Sequence, residues 1–264
     1  MELAAMKSAH RELVGRDYEP LRVERGYANR TLYIDLSAMR IEFKPVTEAM
    51  RQTFTGGKGF DLYLMWQAID GPIAWDDPKN ELCICCGPLG GTPAYSGSSK
   101  SIVTGISPTT GSVMDSNVGG HFGPLLKFAG FDAIELQGKA PEDVLVVIDA
   151  RRHRVSVEAA PHEAVNSYDL AEQLHHMYAD SPDELQHISV VSAGRGAEHT
   201  LIGCLNFSFY DHRRGLPRLK QAGRGGLGTV FRDKKLKGLV AIAPHDRPRW
   251  TIAGAQSRAE GAEP

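Results

Sequence analysis

The chain has 264 residues, of which 42% are hydrophobic and 23% charged, and its formal net charge is −2. That length can bury a sizeable core in one large or two small domains, and the near-neutral balance gives no reason to expect a nucleic-acid partner. No run approaches the roughly 18–20 apolar residues of a membrane span, and the charged N-terminus lacks the apolar stretch and cleavage site of a secretory signal, so a cytoplasmic location is expected.

Residues 1–25 read as a helical or extended arm. The stretch 32-LYIDL-36 has strand character, with 40-RIEFKPV-46 as its hairpin partner. The glycine turn 55-TGGKGF-60 leads into 61-DLYLMWQAI-69, whose apolar positions suit a helix against a sheet, and 70-DGPIAWDDPKN-80 is a loop by its prolines, glycine and acids. A buried strand is expected at 82-LCICCG-87, then the polar, glycine-rich 90-GGTPAYSGSSK-100, a strand at 101-SIVTGIS-107, and a short helix at 124-PLLKFAG-130.

Further strands follow at 131-FDAIELQG-138 and 144-VLVVIDA-150, with 154-RVSVEAA-160 as an edge strand. Residues 167–180 form the clearest helix pattern, 186-QHISVVSAG-194 and 201-LIGCLNFSF-209 read as strands, and 210-YDHRRGLPRLKQAGRGG-226 as a basic loop. The segment 235-KLKGLVAIA-243 closes the regular structure, and residues 247–264 are expected to form a flexible tail. Many short strands with a few helices, in no clean alternation, give an α+β class with mixed sheets.

The 28 glycines are concentrated in clusters. Glycine permits positive φ and close approach of a ligand, and successive exposed N–H groups attract phosphate. The cluster 116-SNVGGHFG-123 reads equally as a tight turn between strands. In 222-AGRGGLG-228 the surrounding Arg213, Arg214, Arg218, Lys220 and Arg224 favour a phosphate or pyrophosphate. Neither cluster has the GxxxxGK pattern of nucleotide hydrolases, and neither fits the strand–turn–helix dinucleotide unit with a downstream acid. Cys83 and Cys85 alternate away from Cys86, a poor geometry for a metal clamp, so these thiols and Cys204 read as core residues. His121 is singled out by its place inside a cluster, whereas His175 and His176 read as surface or edge residues of a helix.

In order along the chain, 26-GYANRTLYIDL-36, 55-TGGKGF-60, 87-GPLGGTPAYSG-97, 107-SPTTGSVMDSNVGGHFGPLLKFAGFDAIELQGKA-140 and 222-AGRGGLGTVFRDKKLKGLVA-241 carry a resemblance. Residues 26–246 resemble the N-terminal domain of the tungsten-containing aldehyde ferredoxin oxidoreductase family, with departures toward the branch that holds the tungsten subunit of benzoyl-CoA reductase. The resemblance implies a duplicated, mixed-sheet α+β unit with short helices that forms a base for a bis-pyranopterin tungsten cofactor, molybdenum being indistinguishable at this level. It implies that backbone carbonyls of Asn117 and Gln221 reach a magnesium ion bridging the pterin phosphates. Gly119 and Gly120 would lie against the cofactor, and Lys100, Lys220 and Gly223 would contact phosphate beside Arg224. Lysines at 100 and 220 stand where the family has arginine, keeping charge but losing the bidentate fork.

The implied activity is oxidation of an aldehyde to a carboxylic acid. Electrons would pass to a [4Fe–4S] cluster not ligated by this chain, and then to ferredoxin or another carrier. A companion polypeptide would supply the cluster cysteines and the substrate channel. Reduction of an aromatic acyl-CoA and a non-catalytic role in pterin binding or assembly are the alternatives.

Overall fold

The computed structural model describes residues 3–92, 97–160 and 166–245. Its elements in chain order are α1 (Leu3–Ala9), β1 (Glu12–Asp17), β2 (Arg30–Asp35), β3 (Arg40–Pro45), α2 (Glu48–Thr53), α3 (Lys58–Ala68), β4 (Leu82–Cys86), β5 (Ser101–Ile106), β6 (Val113–Val118), α4 (Phe122–Phe128), β7 (Ala133–Gln137), β8 (Val144–Asp149), β9 (Arg154–Ala159), α5 (Ser167–Tyr178), β10 (Ile188–Ser192), β11 (Leu205–Asp211), β12 (Leu216–Ala222), α6 (Leu227–Asp233) and β13 (Leu236–Ile242). Short 3-10 segments precede β10 and β11, at Pro182–His187 and Arg195–His199.

Two mixed sheets result, and they have the same plan. One runs β3-β2-β7-β4-β5-β6 and the other β9-β8-β13-β10-β11-β12, with β1 added outside β9. In each, the first hairpin is antiparallel, one parallel pair follows (β2 with β7, β8 with β13), and the rest is antiparallel. The segment β2–β7 with α3 and α4 is therefore repeated as β8–β13 with α5 and α6.

Local chemistry repeats with the topology. In the first hairpin of each unit an aspartate side chain closes the turn: Asp35 Oδ1 accepts from the Ser37 and Ala38 amides, and Asp149 Oδ1 from those of Arg151 and Arg152. Helices α4 and α6 both end on a left-handed residue, Gly130 at φ 92° and Lys235 at φ 64°.

The two sheets pack through one large core. Leu32, Ile34, Leu82, Ile84 and Leu136 of the first unit meet Val144, Val146, Ile148, Val191 and Leu239 of the second, with Phe122 and Leu126 of α4 and Val230 and Phe231 of α6 in the same cluster. The outer faces are covered by α3, over Cys83, Cys85 and Ala133, and by α5 with α1, over Leu145, Val147, Val190 and Val240. Strands buried on both faces need no polar alternation, which is why LCICC and VLVVID read as continuous apolar runs. A buried ion pair, Lys127–Asp132, pins the segment before β2: Lys127 also donates to Gly26 O, and Asp132 accepts from the Ala28 and Asn29 amides.

Several elements differ from the sequence expectation. Most of the arm is ordered as α1 and β1, and β1 pairs with β9, so 154–160 is not an edge. The basic segment after Phe209 is a hairpin in which β12 pairs with β11 over seven residues each, because Gly215 at φ 67° closes the turn. Strand β6, α2 and α6 were not anticipated, and Cys204 lies half-buried just before β11 rather than within a strand. Both later glycine clusters do connect a strand to a helix, β6 to α4 and β12 to α6. The strands are antiparallel edges, so no dinucleotide crossover unit is formed. His175 is fully buried, not at the surface. The tail at 247–264 and part of 90–100 lie outside the described residues.

Candidate functional site

The edge strands of the two sheets, β6 and β12, lie against each other. This contact brings 116-SNVGGHFG-123 and 222-AGRGGLG-228 side by side. Duplication sets their correspondence: Asn117 lies opposite Ile102 of β5, and Gln221 lies opposite Asn206 of β11. Asn117 and Gln221 therefore hold the same place in the two units.

Their side chains are held differently. Lys100 Nζ donates to Asn117 Oδ1 at 3.4 Å, while Gln221 Nε2 donates to Asn206 Oδ1 at 3.4 Å. Asn206 in turn donates to Ser167 Oγ at the start of α5, at 3.2 Å. Lys220 Nζ sits 5.7 Å from the centroid of the Phe209 ring, whose other neighbour is the His121 ring at 5.8 Å.

The glycines divide by cause. Gly120 at φ 100° and Gly226 at φ 66° are demanded by the backbone. Gly123 and Gly228 are demanded by packing, since a Cβ would stand 2.6 Å from Ser101 Oγ and 2.3 Å from Cys204 O. Gly119 and Gly223 answer to neither demand. Neither has positive φ; a Cβ on Gly223 would meet nothing within 4 Å, and one on Gly119 only Lys220 Cγ at 3.8 Å. These two equivalent positions present bare backbone to open space beside cations, a cradle that suits a bulky anionic ligand.

Arg224, predicted beside phosphate, has its guanidinium on Asp115 of β6: Nη2 lies 2.7 Å from Oδ2, and Nε donates to the Asp115 carbonyl at 2.5 Å. Lys58, from the earlier glycine turn, takes the other carboxylate oxygen at 2.7 Å. The Lys58 hydrogen bond foremost, opposed by burial and joined by Arg224, holds the Asp115 carboxyl below the usual carboxylate range. Among the described residues no group of three or more His, Cys, Asp or Glu side chains is placed to hold a metal. Burial raises the thiols of Cys83, Cys85 and Cys86.

Beneath α3 the first sheet carries a buried polar row that the sequence did not reveal. Glu135 accepts from Lys44 and Thr31, each at 2.6 Å, and lies opposite Cys83; Cys83 lies opposite Thr104, which donates to Asp61 at 2.9 Å. Glu81, beside the row, is fully buried with neither carboxyl oxygen hydrogen-bonded. Burial foremost, then Glu135, pushes its carboxyl up to about 8, and burial raises Asp61 well above its ordinary value. In the second unit the places of Thr31, Glu135 and Cys83 are held by Leu145, Val240 and Val190, all core residues. Ser208 takes the place of Thr104 and is bonded at 2.8 Å to His175, which burial lowers to about 4.

The fold is a duplicated α+β unit with a glycine- and lysine-lined rim between the edges of its two mixed sheets. Residues 31–243 match the model of the aldehyde ferredoxin oxidoreductase N-terminal domain, and the chain belongs to that family. It is 32% identical over 224 residues to the tungsten-containing aldehyde ferredoxin oxidoreductase of Pyrococcus horikoshii, covering 84% of this chain and 34% of the relative. With the enzyme of the same description from Thermococcus kodakarensis the identity is 32%, covering 88% and 35%. An aliphatic sulfonate oxidoreductase, WOR-like subunit, of Pyrococcus furiosus is 28% identical, covering 81% and 34%. Among solved structures, the active site complex BamBC of benzoyl coenzyme A reductase with 1,5 dienoyl-CoA matches at a TM-score of 0.72 and 26% identity, covering 84% of this chain and 32% of that one. The chain thus spans about a third of the length of these relatives. No helix among the described residues is long and apolar enough to cross a membrane.

Proposed function

We propose that this chain supplies the base of a bis-pyranopterin tungsten site in a cytoplasmic oxidoreductase that converts aldehydes to carboxylic acids. The observation that carries the reading is the equivalence of Asn117 and Gln221 across the duplication, at the edge where the two units meet. A cofactor with two similar halves would be held by two similar half-sites, and Asn117 and Gln221 would each offer a backbone carbonyl to an accompanying Mg2+. The open backbone at Gly119 and Gly223 fits such a group.

In this reading Lys100 neutralises the phosphate of one half and Lys220 that of the other, while Gly119, Gly120 and Gly223 admit the ligand to the main chain. Arg224 contributes charge at the rim while bonded to Asp115. Bound here, the cofactor would supply two-electron redox chemistry, with water as the oxygen source for the acid. The chain's own contribution is binding, orientation and charge balance. The cluster cysteines, the substrate channel and the contact with ferredoxin or another carrier belong to polypeptide beyond these residues.

Native purification with any bound partner, followed by metal and pterin analysis, tests the proposal. Tungsten, magnesium and a pair of pterins are expected, with iron contributed by the companion polypeptide; absence of both pterin and tungsten sinks it. The likeness to the benzoyl-CoA reductase complex supports a second reading, reduction of an aromatic acyl-CoA on the same base. Turnover of an aryl-CoA in place of an aldehyde selects that one.

A further inference from the structure

Three glycine-rich turns stand out in this chain, at 55–60, 116–123 and 222–228, and one carboxylate bridges the first and third from the residue that immediately precedes the second. Asp115 lies in β6, immediately before the second turn. Its Oδ1 accepts from Lys58, in the first turn, at 2.7 Å, and its Oδ2 from Arg224, in the third, at 2.7 Å. The Asp115 carbonyl and the neighbouring Ser116 hydroxyl accept Arg224 Nε and the Arg224 amide at 2.5 and 3.3 Å. The carboxylate is only 16% exposed, although Lys58 and Arg224 reach it from solvent at 54% and 60%.

The duplication provides an internal control. The place of Asp115 in the second unit is held by Leu219, opposite Ser208 as Asp115 is opposite Thr104. The start of α5, the counterpart of the Lys58 turn, is closed by its own Asn166 side chain, which accepts from the Tyr168 and Asp169 amides. Helix α3 has Gly57 at that position and no side-chain cap. The first unit thus lacks the local device that fixes its counterpart, and Asp115 stands in for it through Lys58. The tie consists of charge-assisted bonds to two cations, and the low exposure of the carboxylate, 16%, limits screening at its end of each pair.

We propose that Asp115 is a positioning residue that locks the three glycine turns into one preformed cradle, fixing the first unit's half-site against the second's before any ligand arrives. The role of that cradle as a cofactor base rests on the function proposed above; the clamp itself does not.

Amide hydrogen exchange on the full chain without cofactor tests the clamp, using Lys58→Met and Arg224→Met, both surface changes, beside Asp115→Leu, which installs the residue of the second unit. Exchange in 55–60 and 222–228 should rise about tenfold in Asp115→Leu, while β8 and β13 keep their protection. The decisive result is transmission: Arg224→Met should speed exchange at 55–60, and Lys58→Met at 222–228. Effects confined to the substituted turn, no effect, or a uniform rise through β8 and β13 would overturn the proposal. Cofactor content of the native complex is the separate arm: it should fall in Asp115→Leu. If the unsubstituted complex carries no pterin, the functional reading fails while the exchange result still decides the clamp.

Discussion

Gly223→Ala separates binding from folding. At this position φ is ordinary and an added Cβ meets no atom within 4 Å, so the native conformation accepts alanine. A compatible Gly→Ala change narrows the unfolded ensemble and stabilises by about 0.4–1 kcal/mol. For a domain of this size that raises the melting temperature by roughly 1–4 °C. Gly119→Ala should behave alike, its Cβ meeting only the flexible Lys220 stem at 3.8 Å. Gly228→Ala is the control: its Cβ would lie 2.3 Å from the Cys204 carbonyl oxygen, a backbone clash expected to cost about 1–3 kcal/mol. Thermal melts of the cofactor-free chain, paired with tungsten and pterin content of the native complex, read both effects. The expected pattern is a chain that melts no lower than wild type yet retains little cofactor. A lowered melting temperature would show that protein packing requires the glycine, and an undiminished cofactor load would show that the ligand does not use it.

Two pH effects of opposite sign should accompany this. The Glu81 carboxyl is raised to about 8, so its contribution to stability is fully present below the unfolded carboxylate value and is lost as pH rises through 8. Glu81→Gln should therefore gain stability over wild type between pH 5 and 9 in urea titrations, and parallel curves would refute burial as the cause. His175 is lowered to about 4, so its contribution is present above about 6.5 and lost as pH falls toward 4, by roughly 3 kcal/mol in full. His175→Gln should flatten the acid side of the profile; an unchanged acid slope would mean that another group sets it.

The apolar strands and the longer helices were legible because burial on one or two faces leaves a periodic trace, as in LCICC and in 167–178. Strand β12 was not, since Arg218, Lys220 and Pro217 on a sheet edge resemble a loop until pairing with β11 supplies the missing bonds. The duplication left little trace in sequence because the units share backbone requirements more than side chains. A left-handed residue can be Gly130 or Lys235, and the same strand place can hold Glu135 or Val240. Family resemblance could nominate Asn117, Gly119 and Gly223, whereas a lone acid between Met114 and Ser116 carries no pattern. Only the meeting of β6 and β12 shows that Asp115 reaches Arg224, and only the cover of α3 shows why Thr104 faces Asp61.

The pairing of β1 with β9 has a consequence for how the protein behaves in a crowded solution. Each unit ends in a strand whose outer amides and carbonyls would be a template for another chain. In the first unit β3 guards itself with Arg40, Glu42, Lys44 and a terminal Pro45. In the second, residues 12–17 occupy the equivalent row on β9, and Arg154 fastens them through Glu12 and Asp17. The N-terminal segment therefore acts as a built-in strand cover: a chain shortened past Asp17 keeps both units and the cradle between them, but offers a bare β9 edge to self-association.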